Sequence, residues 1–454
     1  MGAGSTPQAT FNGAGSATGV YSPRLRWDLA FLGILGYVIV EYSRLPAMFP
    51  VLIPLQLGKV VTFISLVGFL ISPGRSGRSG TRGVDIALGS FLLACFVSTC
   101  LAKDQADAWK AMYMAFVFGV ISFLVGRIVV SPWRVRVFLL VYFLLNFKLA
   151  QFVIRSYQAK RAWGDSPEML SVRGVGAGSQ GFFGNSSDFG VAMCVAFPLA
   201  GALFFAKTKK TTRFLLLVAC AAFFAAIILC GSRGAVVGAA AASLVAFARN
   251  PRRIVGPAMA GVVLLGLLYF LPESSKDRMR SALHWEQDKT ASQRIGFWKA
   301  GLKMFRDHPV LGVGLGNFPS AYAESYAESG SDRAEWAPHN IFIQAASELG
   351  IAGLLPLLAL LVLFLRLNAR TRKHLLALDS SGYRRLEYWL AVGLDLALVG
   401  YLASGFFITV LYYPHLWVLV GLSVGLHRAA HRIVPESVVA ESQNRRGELA
   451  LASA

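Results

Sequence analysis

Acidic side chains are scarce in this sequence. Its 454 residues include 24 Asp and Glu against 44 Lys and Arg, a net charge of +20, and charged residues of both signs make up only 15%. With 55% hydrophobic residues, a soluble multidomain protein is excluded. In a soluble chain the basic excess would suggest nucleic acid. In a chain built of apolar runs it has nearer explanations, basic loops on the cytoplasmic side and contacts to anionic headgroups or pyrophosphates. Cysteine is scarce too. Cys95, Cys100, Cys194, Cys220 and Cys230 lie in or beside apolar runs, without a C-x-x-C pair, which argues against a disulfide scaffold and a zinc site. The chain has no Walker loop, no H-E-x-x-H, no G-x-S-x-G and no D-x-D on an external loop, and Asp104-x-x-Asp107 is too sparse for a metal. With no nucleotide site and no cofactor motif, an activated donor has to arrive through the membrane.

What is present in abundance is apolar sequence in runs long enough to cross a bilayer. Candidate spans fall at 27–42, 56–72, 84–101, 110–130, 136–154, 186–206, 214–231, 234–248, 254–271, 339–366, 388–410 and 415–428. The expected fold is an all-α integral membrane protein of about twelve transmembrane helices. Lys and Arg cluster in alternate short loops, as at Arg134 and Arg136, Lys207 to Arg213, Arg249 to Arg253, and Arg370 to Lys373. That side reads as cytoplasmic and takes both termini with it. The chain then divides into a disordered cytoplasmic N-terminus over 1–23, helices over 24–271, a large external loop over 272–338, helices over 339–428 and a cytoplasmic tail over 429–454. The first residues lack the apolar core of a cleavable signal peptide. No repeat relates the two halves, which counts against an inverted-repeat transporter.

Chemistry concentrates in a few places. Cys230-Gly231-Ser232-Arg233-Gly234-Ala235 joins two apolar runs by a tight reversal, with glycines that permit close backbone approach. Arg233 is thereby held at the external membrane surface, either to fork onto a phosphate or to snorkel to headgroups. In the external loop, Thr290 and Gln293 have capping-box spacing and predict a helix from near Ala291 to Asp307-His308-Pro309. Ile295, Trp298, Leu302 and Phe305 form its apolar stripe, predicted to lie down on the membrane surface. Arg294 sits in its first turn, where free N–H groups also favour an anion. Gly312-Val313-Gly314-Leu315-Gly316 follows no strand and opens no βαβ unit, so it reads as a flexible turn rather than a nucleotide motif. Pro338-His339-Asn340 opens the next span. His339 there has an expected pKa near neutrality and suits a general base, a capping group or a hydrogen-bonding group.

Weaker candidates surround these. Lys59, Arg155, Arg173, Lys303 and Asn340 are possible contacts to a diphosphate or glycan. The loop at 155–185 and the Gly181 to Asp188 stretch fit either that role or plain solvation. Glu348, Asp395 and Lys148 are charges inside apolar runs and should face the protein interior or a wet cavity. Glu348, beside Leu349-Gly350, reads as support for a neighbouring site.

Taken together, Arg233 in S-R-G-A, Arg294 in Q-R-x-x-x-W, the D-H-P-x-x-G-V-G-x-G-N-F run from Asp307 to Phe318, and H-N-x-x-x-Q-x-x-x-E-L-G-x-x-G from His339 to Gly353 resemble the O-antigen ligase family, over roughly residues 180–365. That superfamily also holds polysaccharide polymerases and some protein O-oligosaccharyltransferases. Glu41-Tyr42-Ser43-Arg44 resembles exopolysaccharide-linked members more loosely. The resemblance implies an inner-membrane, metal-independent, inverting glycosyltransferase that needs no cofactor. Its donor would be a glycan on undecaprenyl diphosphate, and its acceptor lipid A-core or a growing polysaccharide, at the periplasmic face. Carried over by position, Arg233 and Arg294 would bind the diphosphate, and His339 would activate or orient the acceptor hydroxyl. Ligase and polymerase share this chemistry. A transporter or flippase of an anionic lipid-linked glycan is the alternative of another class, and it predicts key charges near the midplane rather than at one surface.

Overall fold

A computed structural model describes residues 27–43, 45–72, 80–163, 186–249, 289–327, 336–378 and 385–433. The apolar run at 254–271, Arg173, the N-terminal 26 residues, 272–288 and the tail from 434 lie outside the described residues. Among the described residues the regular structure is helical, without a strand. The principal helices are α1 (Leu29–Ser43), α2 (Leu57–Leu70), α3 (Arg82–Leu101), α4 (Gln105–Ile128), α5 (Pro132–Trp163), α6 (Ser186–Leu203), α7 (Lys210–Leu229), α8 (Arg233–Arg249), α9 (Lys289–Asp307), α10 (Ile341–Leu378), α11 (Leu386–Gly405) and α12 (Pro414–Ala430).

Each expected span on described residues contains one of these helices. By length and composition, Pro50–Leu70, α3, α4, Pro132–Arg155, α7, α10 and α11 can each cross a membrane, and α1 and Ser187–Leu203 are shorter apolar helices. Several boundaries differ from the sequence expectation, among them these two. The α10 helix continues to Leu378 rather than 366, and α11 stops at Gly405 rather than 410. In both cases hydropathy fails to mark the end. Polar residues after 366 stay helical, and apolar residues after 405 form a turn.

Local chemistry starts the helices where the sequence supplies caps. The Asp28 carboxylate accepts from Phe31 N at 2.9 Å, and Asp104 Oδ1 accepts from Ala106 N at 3.0 Å and Asp107 N at 3.2 Å. Small residues then set the crossings. A Cβ on Gly421 or Gly425 of α12 would stand 2.5 Å from Ser122 O of α4 or 2.6 Å from Val129 O, the residue that follows α4. Such small-xxx-small faces let helix backbones touch where lipid gives no hydrophobic drive.

The helix ends sort into two groups by their contacts. One group carries ion pairs, Arg134–Asp28 at 2.6 Å and Arg127–Asp85 at 2.7 Å, with Arg428 donating to Thr81 at 3.0 Å. Asp395 in α11 is 1% exposed and accepts from Arg372 at 2.8 Å, Arg249 at 3.1 Å and Asn368 at 2.9 Å. Lys148 differs from the interior placement expected of it: the residue is exposed, while its ammonium donates to Ser43 O, 2.8 Å away at the end of α1. The second group of ends holds the Arg233 hairpin, α9 and the start of α10.

Candidate active site

Arg233 is the first residue of α8. Gly231, at φ +69°, makes the reversal out of α7, a left-handed conformation suited to glycine. Ser232 then caps α8, its Oγ accepting from Ala235 N at 3.3 Å and facing Ser187 Oγ of α6 at 3.4 Å. Gly234 is buried against Phe407, Ile408 and Ser404 O, so the hairpin is wedged against the end of α11. The Arg233 side chain is half-buried.

Helix α9 spans Lys289–Asp307 and carries Arg294, also half-buried. The stripe of Ile295, Trp298, Leu302 and Phe305 is half-buried or exposed, and a second face of the helix is covered by the protein. Phe297, Ala300, Gly301 and Met304 are its buried residues, the first, second and last packed with Phe318 and Tyr322, whereas Leu302 is 55% exposed. The helix thus has two apolar faces, and the protein covers the one that holds Phe297 and Met304. Trp298 packs its indole edge-on against Phe406, 5.1 Å between centroids. The Asp307-His308-Pro309 stop holds, with His308 N bonded to Met304 O at 2.8 Å.

The glycine run beyond it is a docked turn, not a flexible one. Helix α10 is broken at Gly350, φ +59° and ψ −157°. The break exposes backbone donors and acceptors, and the loop fills them. Ile351 N donates to Pro309 O at 2.8 Å, Ala352 N to Val310 O at 3.1 Å, and Val313 N to Ser347 O at 2.8 Å. Ser98 Oγ of α3 bridges Leu311 O at 3.1 Å and Glu348 O at 2.9 Å. Gly312 and Gly350 are needed because a Cβ on either would lie 2.3–2.4 Å from the opposing backbone. Asn317 locks the far end, its carboxamide accepting from Asp104 N at 2.8 Å and donating to Asp104 O at 2.9 Å.

Glu348 is 2% exposed and stitches three segments. Its carboxylate accepts from Tyr412 OH at 3.0 Å, from the Gln344 amide at 3.5 Å, and from the backbone N–H groups of Gly316 and Phe318. A buried carboxylate surrounded by donors is a structural tie. Asn340 caps α10, its Oδ1 accepting from Phe342 N at 2.8 Å and Ile343 N at 3.1 Å.

His339 lies between the extended Trp336–Pro338 entry and that cap. Its φ of +48° is a left-handed conformation that non-glycine residues rarely adopt. Its N–H donates to Thr409 Oγ1 at 2.9 Å, and its ring lies 6.2 Å from that of Phe297. The expectation of a near-neutral pKa fails. Burial, and secondly the Arg294 guanidinium, lower it to about 4. His339 is therefore a neutral imidazole at neutral pH, within electrostatic reach of Arg294 across 45 residues of chain.

One segment escaped sequence reasoning: the turn from Phe406 to Tyr413 between α11 and α12. Gly234 beside Arg233 packs on Phe407 and Ile408, Trp298 one turn beyond Arg294 packs on Phe406 and Phe407, and His339 is anchored by Thr409. Tyr412 and Tyr413 hydrogen-bond to Glu348 and Asp188. The available signal was the aromatic pairs at 406–407 and 412–413 followed by Pro414, a pattern for an interfacial turn rather than a span.

The weaker candidates fall elsewhere. Lys59 is exposed, with its ammonium 5.2 Å from the Tyr113 ring centre, and Arg155 is exposed on α5. Lys303 lies 5.5 Å from the Tyr326 ring centre on the outer side of α9. Against known proteins, no curated protein matches the chain. Residues 216–358 match the family model described as O-antigen ligase, a range that holds Arg233, Arg294, His339 and Glu348. That match covers about a third of the chain; it shows a likeness to O-antigen ligases and supports a membrane enzyme of polysaccharide assembly.

Proposed function

We propose that this protein is an inner-membrane glycosyltransferase with its site at the periplasmic face and both termini in the cytoplasm. It moves a glycan from undecaprenyl diphosphate to an acceptor hydroxyl, on lipid A-core or on a growing surface polysaccharide. The observation that carries this reading is the meeting of three segments on the end of α11 and the turn that follows it: the Arg233 hairpin, the Arg294 helix and the His339 entry.

The chemistry follows from charge. The acceptor oxygen bonds to the anomeric carbon as the bond from that carbon to the diphosphate oxygen breaks, with inversion. Negative charge grows on the leaving diphosphate. Two guanidiniums placed in advance stabilise it without reorganisation, each forking onto phosphate oxygens. The hydroxyl proton passes to His339, whose neutral imidazole is ready to accept it at neutral pH. Binding an anion at Arg294 offsets the smaller, electrostatic part of the lowering of the His339 pKa and leaves the larger part, due to burial. The second arginine makes metal assistance unnecessary, and transfer should persist in a chelator.

The test is reconstitution with purified lipid-linked glycan and, in parallel, lipid A-core and glycan acceptors. Arg233→Ala and Arg294→Ala should each reduce transfer by about 10²–10³-fold, as loss of a transition-state donor does. Both should still be extracted as the parent is. Full activity in both variants would refute the mechanism, and the acceptor that is consumed separates ligase from polymerase.

A further inference from the structure

The His339 main chain is hydrogen-bonded to a residue outside the matched range, Thr409. A left-handed backbone at a non-glycine position costs on the order of 1 kcal/mol and persists only where its surroundings impose it. On one side of His339, Pro338 is buried and fixes its own φ. On the other, Asn340 is committed to the cap of α10. The joint between them turns the His339 N–H away from the helix, and Thr409 Oγ1 receives it at 2.9 Å.

Thr409 is well placed to impose that geometry, because its own turn is tied at several points. Phe407 N donates to Ser404 O at 3.0 Å, Trp417 Nε1 to Leu411 O at 3.1 Å, Tyr401 OH to Val410 O, and Tyr412 OH to Glu348 at 3.0 Å. The last bond closes a loop, since Glu348 lies on the same helix segment that His339 and Asn340 introduce. Both ends of that segment, His339 and Glu348, are thus pinned to one turn, 70 residues from His339 in sequence.

We propose that Thr409 is a positioning residue for His339, its hydroxyl holding the histidine main chain in the left-handed conformation that sets the imidazole near Phe297. This rests on the reading of His339 as the group that handles the acceptor hydroxyl. Without the hydroxyl the N–H loses its acceptor, the backbone relaxes toward the ordinary regions, and the ring swings from its place. Misplacement of a reacting group by about 1 Å costs up to about 10²-fold in rate.

Thr409→Val keeps the shape and removes the acceptor, and Thr409→Ser keeps the hydroxyl. The valine variant should lose about tenfold or more in kcat while donor KM stays within about twofold. The serine variant should stay within about threefold of the parent. A second readout needs no activity: the rate at which diethyl pyrocarbonate modifies His339 at pH 7, followed by peptide mass spectrometry. That rate should change severalfold in Thr409→Val and not in Thr409→Ser. Parental kcat together with a parental modification rate in Thr409→Val overturns the proposal, as does failure of serine to restore either. If the valine variant does not reach the membrane, Thr409→Ala removes the same oxygen and is judged by the same criteria. Parental activity in His339→Ala would sink the role of the histidine itself, while the modification rates would still decide whether Thr409 holds it.

Discussion

Replacing Gly350 by alanine puts a methyl group where the docked loop already is. The new Cβ would stand 2.4 Å from the carbonyl carbon and oxygen of Val310 and 2.7 Å from Leu311 N. These are backbone atoms and cannot swing aside as a side chain would. At φ +59° and ψ −157° the residue also occupies a region open essentially to glycine alone, at a cost of about 1–3 kcal/mol for alanine. Undocking the loop to relieve the clash forfeits the bonds Ile351–Pro309, Ala352–Val310 and Val313–Ser347, each contributing on the order of 1 kcal/mol net. The total, about 4–6 kcal/mol, is comparable with the whole stability of a modest domain. The loop should therefore leave the helix break and take the Glu348 tie with it. Two assays read this: limited proteolysis between residues 309 and 318 in detergent, and transfer activity. Gly296→Ala is the control, because nothing lies within 4 Å of a Cβ there and a helix-interior alanine gains about 0.5–1 kcal/mol. The reasoning is refuted if Gly350→Ala resists protease and transfers glycan as well as Gly296→Ala does.

Two more predictions use the same region. Asn317→Ala removes both bonds to the Asp104 backbone from a buried site, and should lower stability by about 2–3 kcal/mol in thermal unfolding. Lys103→Ala breaks only the exposed ion pair with Glu324 nearby, and should change it by less than about 0.5 kcal/mol. For His339, the folded state favours the neutral ring while the unfolded chain binds a proton near the ordinary value of 6.5. Its contribution is therefore complete above about 6.5 and lost as pH falls toward about 4. Protease sensitivity of the α9 region should rise across that window, and His339→Gln should flatten the rise. Arg294→Ala should move the midpoint up but leave it below 6.5, since burial is the larger cause. A midpoint unchanged by that substitution would show that the two groups do not interact.

Much of the frame was legible in the chain because it is local. Apolar runs in α3, α4, α7 and α11 announce helices by length and composition, whereas Asp104 and Asn340, read from the sequence as a sparse acidic pair and a possible substrate contact, are helix caps in the fold. Gly231, with its neighbours Ser232 and Gly234, announces the reversal that presents Arg233. The helix bearing Arg294 was legible from its period. Which of its faces is covered was not, because Phe297 and Met304 are chosen by Phe318 and Tyr322 rather than by spacing along α9.

The sequence by itself determined a helical membrane protein, the hairpin and the loop helix that carry the two arginines, and the histidine at the mouth of α10. Tertiary structure alone decided three things. It set the low pKa of His339, which depends on burial and on a guanidinium 45 residues away. It turned the glycine run into a docked clasp for the break at Gly350. It also made Phe406 to Tyr413 the meeting point of the site, although that stretch reads as the end of an apolar span. The reason is common to all three. Periodicity and composition record what a residue needs from its immediate neighbours, whereas burial, electrostatic field and hydrogen-bond partners come from segments that only the folded chain brings together.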